Sequence, residues 1–307
     1  MMDMKLFGPV IHILLALVIS PLLMGIINRT KAKFAGRKGQ PLLQPYYDII
    51  KLLRKGSVYS TTTTWVFRLG PVAGLSAMII AILIIPSGGI NSLLSFPCDF
   101  ILMAYILGVA RFLTVTAALD TGSPFEGMGA SREMQFAILA EVVMFMGVAV
   151  LAVGTGKISL SSIYYTLWDS NFTNIAPAVF LVALSFLIVL LTENARIPVD
   201  DPNTHLELTM IHEVMVLDHG GVDLALIQYG SCLKLWLFSS LLAGMAIPVR
   251  TGIMIVDMGI NTVGILLISV FVGIIESGMA RLKLLHIPQM LLAAFSVTAA
   301  AFLWVLR

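Results

Sequence analysis

The hydrophobic residues of this chain form long runs that charged residues rarely interrupt. Eight windows of about 20 residues are almost uncharged, and an α-helix of that length crosses a hydrocarbon core of ~30 Å. A membrane β-barrel would need segments of ~10 residues in which apolar and polar positions alternate, whereas runs such as Val142–Val153 are apolar throughout. The pattern predicts an all-α integral membrane protein with transmembrane helices over 8–28, 66–86, 98–119, 134–154, 175–193, 227–248, 255–275 and 288–306.

The composition excludes a water-soluble globular protein. Of the 307 residues, 58% are hydrophobic and 12% are charged, against roughly 45–50% hydrophobic residues in soluble domains. No small-residue cleavage site follows the first apolar window, so we interpret it as a retained helix rather than a signal peptide. The sequence shows no soluble domain or repeat, which predicts one polytopic membrane domain over 1–307. Cys98 and Cys232 are far apart and cannot hold an iron–sulfur cluster by themselves.

Basic residues are concentrated between the first two apolar windows. Against a single acid, Asp48, this loop contains Arg29, Lys31, Lys33, Arg37, Lys38, Lys51, Arg54, Lys55 and Arg68. The positive-inside rule places such a loop in the cytoplasm, where it could meet either anionic lipid or a protein. Eight spans then place both termini outside, and the sparser basic residues Lys157 and Arg250 fall in the outer loops.

Within this loop, apolar and polar positions alternate with a helical spacing over residues 42–55. Leu42, Tyr46, Ile50 and Leu53 belong to the apolar set. Pro41 and Gly56 mark the boundaries of this segment. The spacing predicts a short helix that lies in the membrane interface.

Several ionisable residues fall inside the apolar windows, where each charge costs at least ~2.5–3.5 kcal/mol. Arg111, Glu141 and Lys234 lie near the middle of a window, and Glu193 and Glu276 lie nearer the ends. Two interpretations of Glu141 stay open: a carboxyl that takes up and releases a proton, or a structural ion pair with Arg111 or Lys234. For Asp99, Asp257 and Lys157, close to window ends, solvation at the interface is expected.

The segment 192–223 is rich in acids and histidines. It contains Glu193, Arg196, Asp200, Asp201, His205, Glu207, His212, Glu213, Asp218, His219 and Asp223. The spacing of His205, His212 and Glu213 matches no compact metal motif, so no metal site is predicted. We interpret the segment as a funnel that docks a partner or supplies protons to the membrane.

Three motifs resemble the quinone-site membrane subunit of respiratory complex I and its counterparts in energy-converting nickel–iron hydrogenases. The matches are Gly36-Arg37-Lys38-Gly39-Gln40-Pro41 with Tyr47-Asp48 and Lys51-Leu52, then Asp120-Thr121-Gly122-Ser123-Pro124-Phe125 with Gly129-Ala130-Ser131-Arg132-Glu133, and finally Glu193 with Arg196, Pro198, Asp200, Glu207 and Glu213. The second motif resembles the version of the formate hydrogenlyase and hydrogenase-4 type. Together with the eight spans, the matches cover nearly the whole chain.

The resemblance implies a subunit of eight helices, several of them tilted, in the cytoplasmic (inner) membrane of a prokaryote. Such a subunit anchors a cytoplasmic arm, made of an iron–sulfur small subunit and a large nickel–iron catalytic subunit, and connects it to antiporter-like membrane subunits. It binds no metal, cofactor or nucleic acid itself. The candidates for a proton path are Glu141, Glu193, Glu207, Glu213, Lys234 and His212. The candidates for docking the arm are Arg37, Lys38, Asp48, Asp120, Arg132, Glu133, Arg196 and Asp200.

Two alternatives remain open. Asp201-Pro202-Asn203-Thr204-His205-Leu206 stands where complex I has an acid-rich run, which makes a quinone doubtful and favours a hydrogenase-type complex over a complex I-type quinone-site subunit. A stand-alone secondary transporter would explain the intramembrane charges and the prolines Pro71 and Pro248. Transporters commonly have repeated halves, and the sequence shows no such symmetry.

Overall fold

A computed structural model of the chain describes residues 2–167, 172–200, 210–247 and 251–307. Within these ranges the regular secondary structure is helical: α1 (Met2–Phe34), α2 (Gln44–Leu53), α3 (Trp65–Ile84), α4 (Asp99–Asp120), α5 (Pro124–Thr155), α6 (Leu160–Thr166), α7 (Phe172–Glu193), the 3-10 turn Glu213–Val216, α8 (Gly221–Ala246), α9 (Met254–Gly278) and α10 (His286–Leu306). The candidate Glu207, together with His205, Pro248, Arg250 and the segment 201–206, lies outside the described residues.

Eight of the described helices are long and apolar enough to cross a membrane, which confirms the predicted all-α membrane fold. Two of them extend well past the predicted windows, since α1 continues to Phe34 and α5 begins at Pro124. Polar residues in these extra turns have partners inside the protein: Lys31 Nζ lies 2.8 Å from Glu276 Oε2. At 1.5 Å per residue, the 32 residues of α5 span about 48 Å. This helix is longer than the hydrocarbon core, so it must tilt or project from the bilayer.

The predicted short helix after α1 is present as α2. Its residues Tyr47, Ile50 and Leu53 are exposed, and the hydroxyl of Tyr46 donates a hydrogen bond to the carbonyl of Val18 in α1. This bond fixes α2 against the membrane-spanning part of α1. The interfacial position of α2 stays a prediction, and its exposed apolar side chains are those that would enter the lipid.

Helix α8 lies at the centre of the bundle. In its most apolar stretch 61% of the residues are buried, against 22% for α10. It packs against α1, α2, α3, α7 and α9, and Trp236 in its middle is 1% exposed. Lys234, one half-turn earlier, therefore projects from the central helix rather than from the lipid-facing rim.

The expectation of interfacial solvation was wrong for Asp99 and Asp257. Asp99 is fully buried, and its carboxylate accepts hydrogen bonds from the backbone N–H of Leu160 and the hydroxyl of Ser159, both at 2.8 Å. Asp257 is 8% exposed and accepts from the backbone N–H and the hydroxyl of Thr251 at 2.7 and 2.8 Å. Donors from neighbouring loops replace water around both carboxylates.

Candidate functional site: an ion network beside a cavity

The guanidinium of Arg111 joins three carboxylates from two other helices. Its Nη2 donates to both carboxylate oxygens of Glu193, at the end of α7, at 2.7 and 2.8 Å. Its Nη1 pairs with Glu141 of α5. Glu133, two turns earlier in α5, lies 4.0 Å from Arg111 Nε. The arginine that the sequence places in the middle of an apolar window is therefore the centre of an ion network.

Lys234 extends this network to the central helix. Its Nζ lies 2.8 Å from Glu193 Oε2, so the carboxylate of Glu193 is shared between two cations. Glu193 is 9% exposed, and charge-assisted hydrogen bonds of this length are stronger than neutral ones. Glu193, Lys234 and Glu141, all predicted for the proton path, are thus brought together by Arg111.

The network carries one more carboxylate than it has cations. Among the described residues it comprises Glu133, Glu141 and Glu193 against Arg111 and Lys234. Glu133 is the carboxylate held least tightly, at 4.0 Å from Arg111 Nε. The ion pair between Glu141 and Arg111 is present in the structure, and a proton-binding role of the network stays a prediction.

A cavity of about 110 Å³ adjoins the network, which is room for several water molecules. Its wall includes Arg111, Glu133, Glu193, Lys234, His212 and His219, and most of the other lining residues are apolar. The side chain of Glu141 is 30% exposed and is not among the described residues that line the cavity. Arg111 thus contacts both the cavity and a partly exposed carboxylate.

The loop after α7 is fastened by its own acidic residue. Asp200 is 1% exposed and accepts hydrogen bonds from the backbone N–H groups of Ile211 and His212 at 3.0 and 3.2 Å. Arg281 Nη2 lies 2.9 Å from the other oxygen of Asp200. These contacts place His212 and the half-buried Glu213 at the 3-10 turn, next to the cavity.

The packing of this turn on α5 requires a glycine. A Cβ on Gly129 would lie 2.2 Å from Val214 Cγ1 and 2.8 Å from the carbonyl oxygen of Ile211. Close by, Arg132 Nη1 donates to the carbonyl of Met210 at 3.1 Å. The first turns of α5 therefore hold the loop segment that borders the cavity.

The docking candidates fall into two groups. Arg37 and Lys38 are exposed in the turn after α1, and Asp48 and Asp120 are partly exposed. The carboxylate of Asp120 accepts a hydrogen bond from the backbone N–H of Thr64 at 2.6 Å. Arg196 and Asp200 are 3% and 1% exposed. Arg196 Nη1 pairs with Glu276 at 3.4 Å. Buried residues of this kind shape the loop but do not present a surface to a partner, and Glu133 belongs to the ion network.

Sequence reasoning assigned one carboxyl to another role and did not name a second. Glu133 was predicted for docking, and its place two turns before Glu141 on one side of α5 was the available signal for the network. Glu126, 2% exposed, accepts a hydrogen bond from the hydroxyl of Thr121. Pro124, just before it, begins α5. In the described ranges, no group of three or more His, Cys, Asp or Glu residues could hold a metal ion.

Several known proteins are similar to this chain over almost its whole length. The chain is 30% identical to formate hydrogenlyase subunit 4 of Escherichia coli K12 over 97% of its length and 98% of the relative's. It is also 30% identical to hydrogenase-4 component C of the same organism, with 94% and 92% covered. A chain in the structure of the membrane-bound sulfane sulfur reductase, an archaeal respiratory membrane complex, has the same fold, with a TM-score of 0.80 at 21% identity and 98% and 99% coverage. The family model described as NADH dehydrogenase matches residues 8–306, and the chain belongs to that family.

Proposed function

We propose that this chain is the membrane-anchor and proton-coupling subunit of a multisubunit oxidoreductase of the hydrogenase type. Its task is to hold a cytoplasmic redox arm on the membrane and to link that arm to ion-translocating membrane subunits. The observation that carries the proposal is the ion network of Arg111, Glu133, Glu141, Glu193 and Lys234 beside an internal cavity. A merely structural anchor has no need of an unbalanced charge next to a cavity at membrane depth.

The proton route follows from the order of the groups. Protons in the cavity reach Glu133 and Glu193, which line it. Arg111 bridges these to Glu141, whose side chain is 30% exposed. Uptake of a proton on the cavity side weakens the hold of Arg111 on that carboxylate and shifts the guanidinium toward Glu141. Glu141 is then the group that communicates with a neighbouring membrane subunit.

The docking surface lies at the end of the bundle that we expect to face the cytoplasm. Exposed Arg37 and Lys38 offer positive charge beside the loop after α7. The two relatives at 30% identity are a formate hydrogenlyase subunit and a hydrogenase-4 component, which supports partners of the iron–sulfur and nickel–iron type. Iron–sulfur and nickel–iron centres then reside in those partners, and both termini lie outside.

The proposal is tested by isolating the tagged chain from its native membrane in mild detergent. Mass spectrometry identifies the co-purifying subunits, and the same sample is assayed for iron, nickel and quinone. Iron–sulfur and nickel–iron subunits with antiporter-like chains are the expected result. A metal-free chain that is isolated alone and moves an ion or a solute in vesicles would contradict the proposal and identify a transporter.

A quinone-site subunit of a complex I-type enzyme is the second candidate, because the matching family is that of NADH dehydrogenase. The segment 201–206, which distinguishes the two types in sequence, lies outside the described residues. The same isolation decides between them. Bound, reducible quinone with flavin-containing subunits would favour the second candidate, and nickel without quinone would favour the first.

A further inference from the structure

We propose that His219 takes up protons from the cytoplasmic side and passes them into the cavity that contains Arg111, Glu193 and Lys234. This inference rests on the proposed function, because it names the point at which protons reach the same cavity. It concerns a residue outside the ion network, just before the first turn of α8.

The geometry places His219 at the wall of the cavity in a fixed orientation. Its ring stacks on Phe67 of α3, with ring centroids 3.9 Å apart and planes 10° apart. The residue is 7% exposed and lines the cavity. Its Nδ1 is buried and has no hydrogen-bond partner in the part of the chain that is described. An unpaired buried nitrogen is unfavourable, and beside a cavity this one is free to exchange a proton with water there.

The backbone around His219 is held just as firmly. Gly221 has a φ of +56°, and a Cβ there would lie 2.4 Å from the carbonyl oxygen of Gly56. The hydroxyl of Ser57 donates to the carbonyl of Gly220 at 3.2 Å. The loop before α3 is thus in direct contact with the start of α8. The imidazole is therefore held between solvent-facing loops and the cavity.

Charged and titratable groups surround this imidazole on every side. On its own segment, Asp218 is exposed and Asp223 is 7% exposed, with a buried Oδ2 that no described residue contacts by a hydrogen bond. From the loop before α3, Tyr59 interacts electrostatically with Asp223. The other groups are Arg68 of α3, whose Cζ lies 4.3 Å from the ring centroid of Tyr59, Glu126 of α5, which interacts electrostatically with Asp218, and His212, which lines the same cavity.

These surroundings suit a proton carrier rather than a fixed charge. Burial lowers the pKa of His219 below its ordinary value, and the charges of Asp223 and Asp218 only partly oppose this. The imidazole is therefore neutral near pH 7 and able to accept a proton from water. Protonation at one ring nitrogen and loss from the other moves one proton and leaves the histidine as its other neutral tautomer. Transfer of the proton back between the ring nitrogens through water, or rotation of the ring, restores the first tautomer before the next transfer. No electron moves: an O–H bond of the donor water breaks as an N–H bond forms, and the second N–H bond breaks as the proton passes to water in the cavity.

The test compares variants of the whole complex in proteoliposomes, with proton uptake and turnover recorded together across pH. His219→Gln keeps the size of the side chain but cannot carry a proton, and we expect uptake to fall by about 100-fold, within the range of a positioned proton-transfer group. Imidazole in the buffer should restore part of the uptake of His219→Ala. His286→Gln is the matched control, because His286 is exposed and pairs with Gln289 at 2.9 Å. It should behave like the wild type.

A second measurement on the native complex does not depend on any variant folding. Exchange of the imidazole C2 hydrogen for deuterium, read by mass spectrometry, should show His219 in contact with solvent protons. A His219 that does not exchange, or a His219→Gln complex with wild-type uptake while Glu193→Gln abolishes it, overturns the inference and leaves the proposed function standing. Wild-type uptake in both variants overturns the proposed function as well.

Discussion

Lys234 Nζ and Glu193 Oε2 lie 2.8 Å apart, which joins the central helix of the bundle to the end of α7. Because Arg111 Nη2 lies 2.7 Å from the other oxygen, one carboxylate holds two cations from two further helices. The ion pairs that join these three helices thus depend on the same side chain.

Replacing the carboxylate of Glu193 alone should destabilise the bundle more than replacing Glu193 and Lys234 together. Glu193→Gln leaves Arg111 and Lys234 without a shared anion, and loss of one partner of a buried pair costs about 3–5 kcal/mol. Lys234→Met added to Glu193→Gln should recover part of this loss, because a neutral pair replaces an unpaired cation. The melting temperatures of the wild type, both single variants and the double variant provide the check. A double variant as unstable as the sum of the singles would show that the two residues are not coupled.

Arg111→Lys should fail although it conserves the charge. Arg111 reaches Glu193 and Glu141 with different nitrogens of one planar group, and an ammonium is a compact point charge that cannot make both contacts in that geometry. We expect a loss of proton uptake of at least about tenfold, with turnover less affected, in proteoliposomes of the whole complex. Arg54→Lys, at an exposed arginine outside the network, serves as the control. Equal uptake by Arg111→Lys and the wild type would show that only the positive charge of Arg111, and not its planar geometry, is needed for uptake.

The apolar windows were sufficient to predict each long helix that the structure describes. The hydrocarbon core offers no water to backbone N–H and C=O groups, so each crossing is a helix of ~20 apolar residues with internal hydrogen bonds. Helix ends were harder to predict, since the turns around Lys31 and Glu126 are polar and the partner of Lys31, Glu276, comes from a distant helix. The site, too, could be predicted only in part. Arg111, Glu141 and Lys234 stand out because charge is rare in such windows. Their convergence on Glu193, and the part played by Glu133, depend on how four helices pack, and a single sequence does not contain that information.

Two glycines of α5 should respond in opposite ways to substitution by alanine. At Gly129 the new Cβ would lie 2.2 Å from Val214 Cγ1, and overpacking of this kind costs about 1–3 kcal/mol. At Gly127 the nearest atom is Leu119 Cδ2 at 3.9 Å, so alanine should stabilise the helix by roughly 0.5–1 kcal/mol. Melting temperatures of the two variants test this, and a Gly129→Ala protein as stable as the wild type would mean that the 3-10 turn can move away from α5.

Reversing the charge of Arg37 and Lys38 should weaken retention of the cytoplasmic subunits. Both residues are exposed, and exposed ion pairs contribute roughly 0.2–1 kcal/mol each, which corresponds to about twofold to 30-fold weaker binding for the double reversal. The effect should shrink as the salt concentration rises. The yield of co-purified subunits from the Arg37→Glu, Lys38→Glu variant at low and high salt measures it.

Lys157→Glu is the matched control for this experiment. Lys157 is also exposed, but eight spans with the first loop in the cytoplasm place it on the outer side. Its reversal should leave subunit retention unchanged. A loss of subunits in Lys157→Glu, with none in the double reversal, would invert the predicted orientation of the chain.

The stability of the protein should fall in mildly acidic buffer because of His219. Burial holds the pKa of this histidine in the folded protein below its ordinary value of 6.5, so the unfolded chain binds a proton first as the pH drops. The folded state therefore has its full stability above about pH 6.5 and loses stability as the pH falls from there toward the lower folded pKa. His219→Gln does not titrate, so its melting temperature, followed from pH 8 to pH 5, should decline less than that of the wild type. If instead the wild type gained stability over the variant on acidification, the charges of Asp218 and Asp223 would outweigh burial, and His219 would carry a fixed positive charge rather than pass protons on.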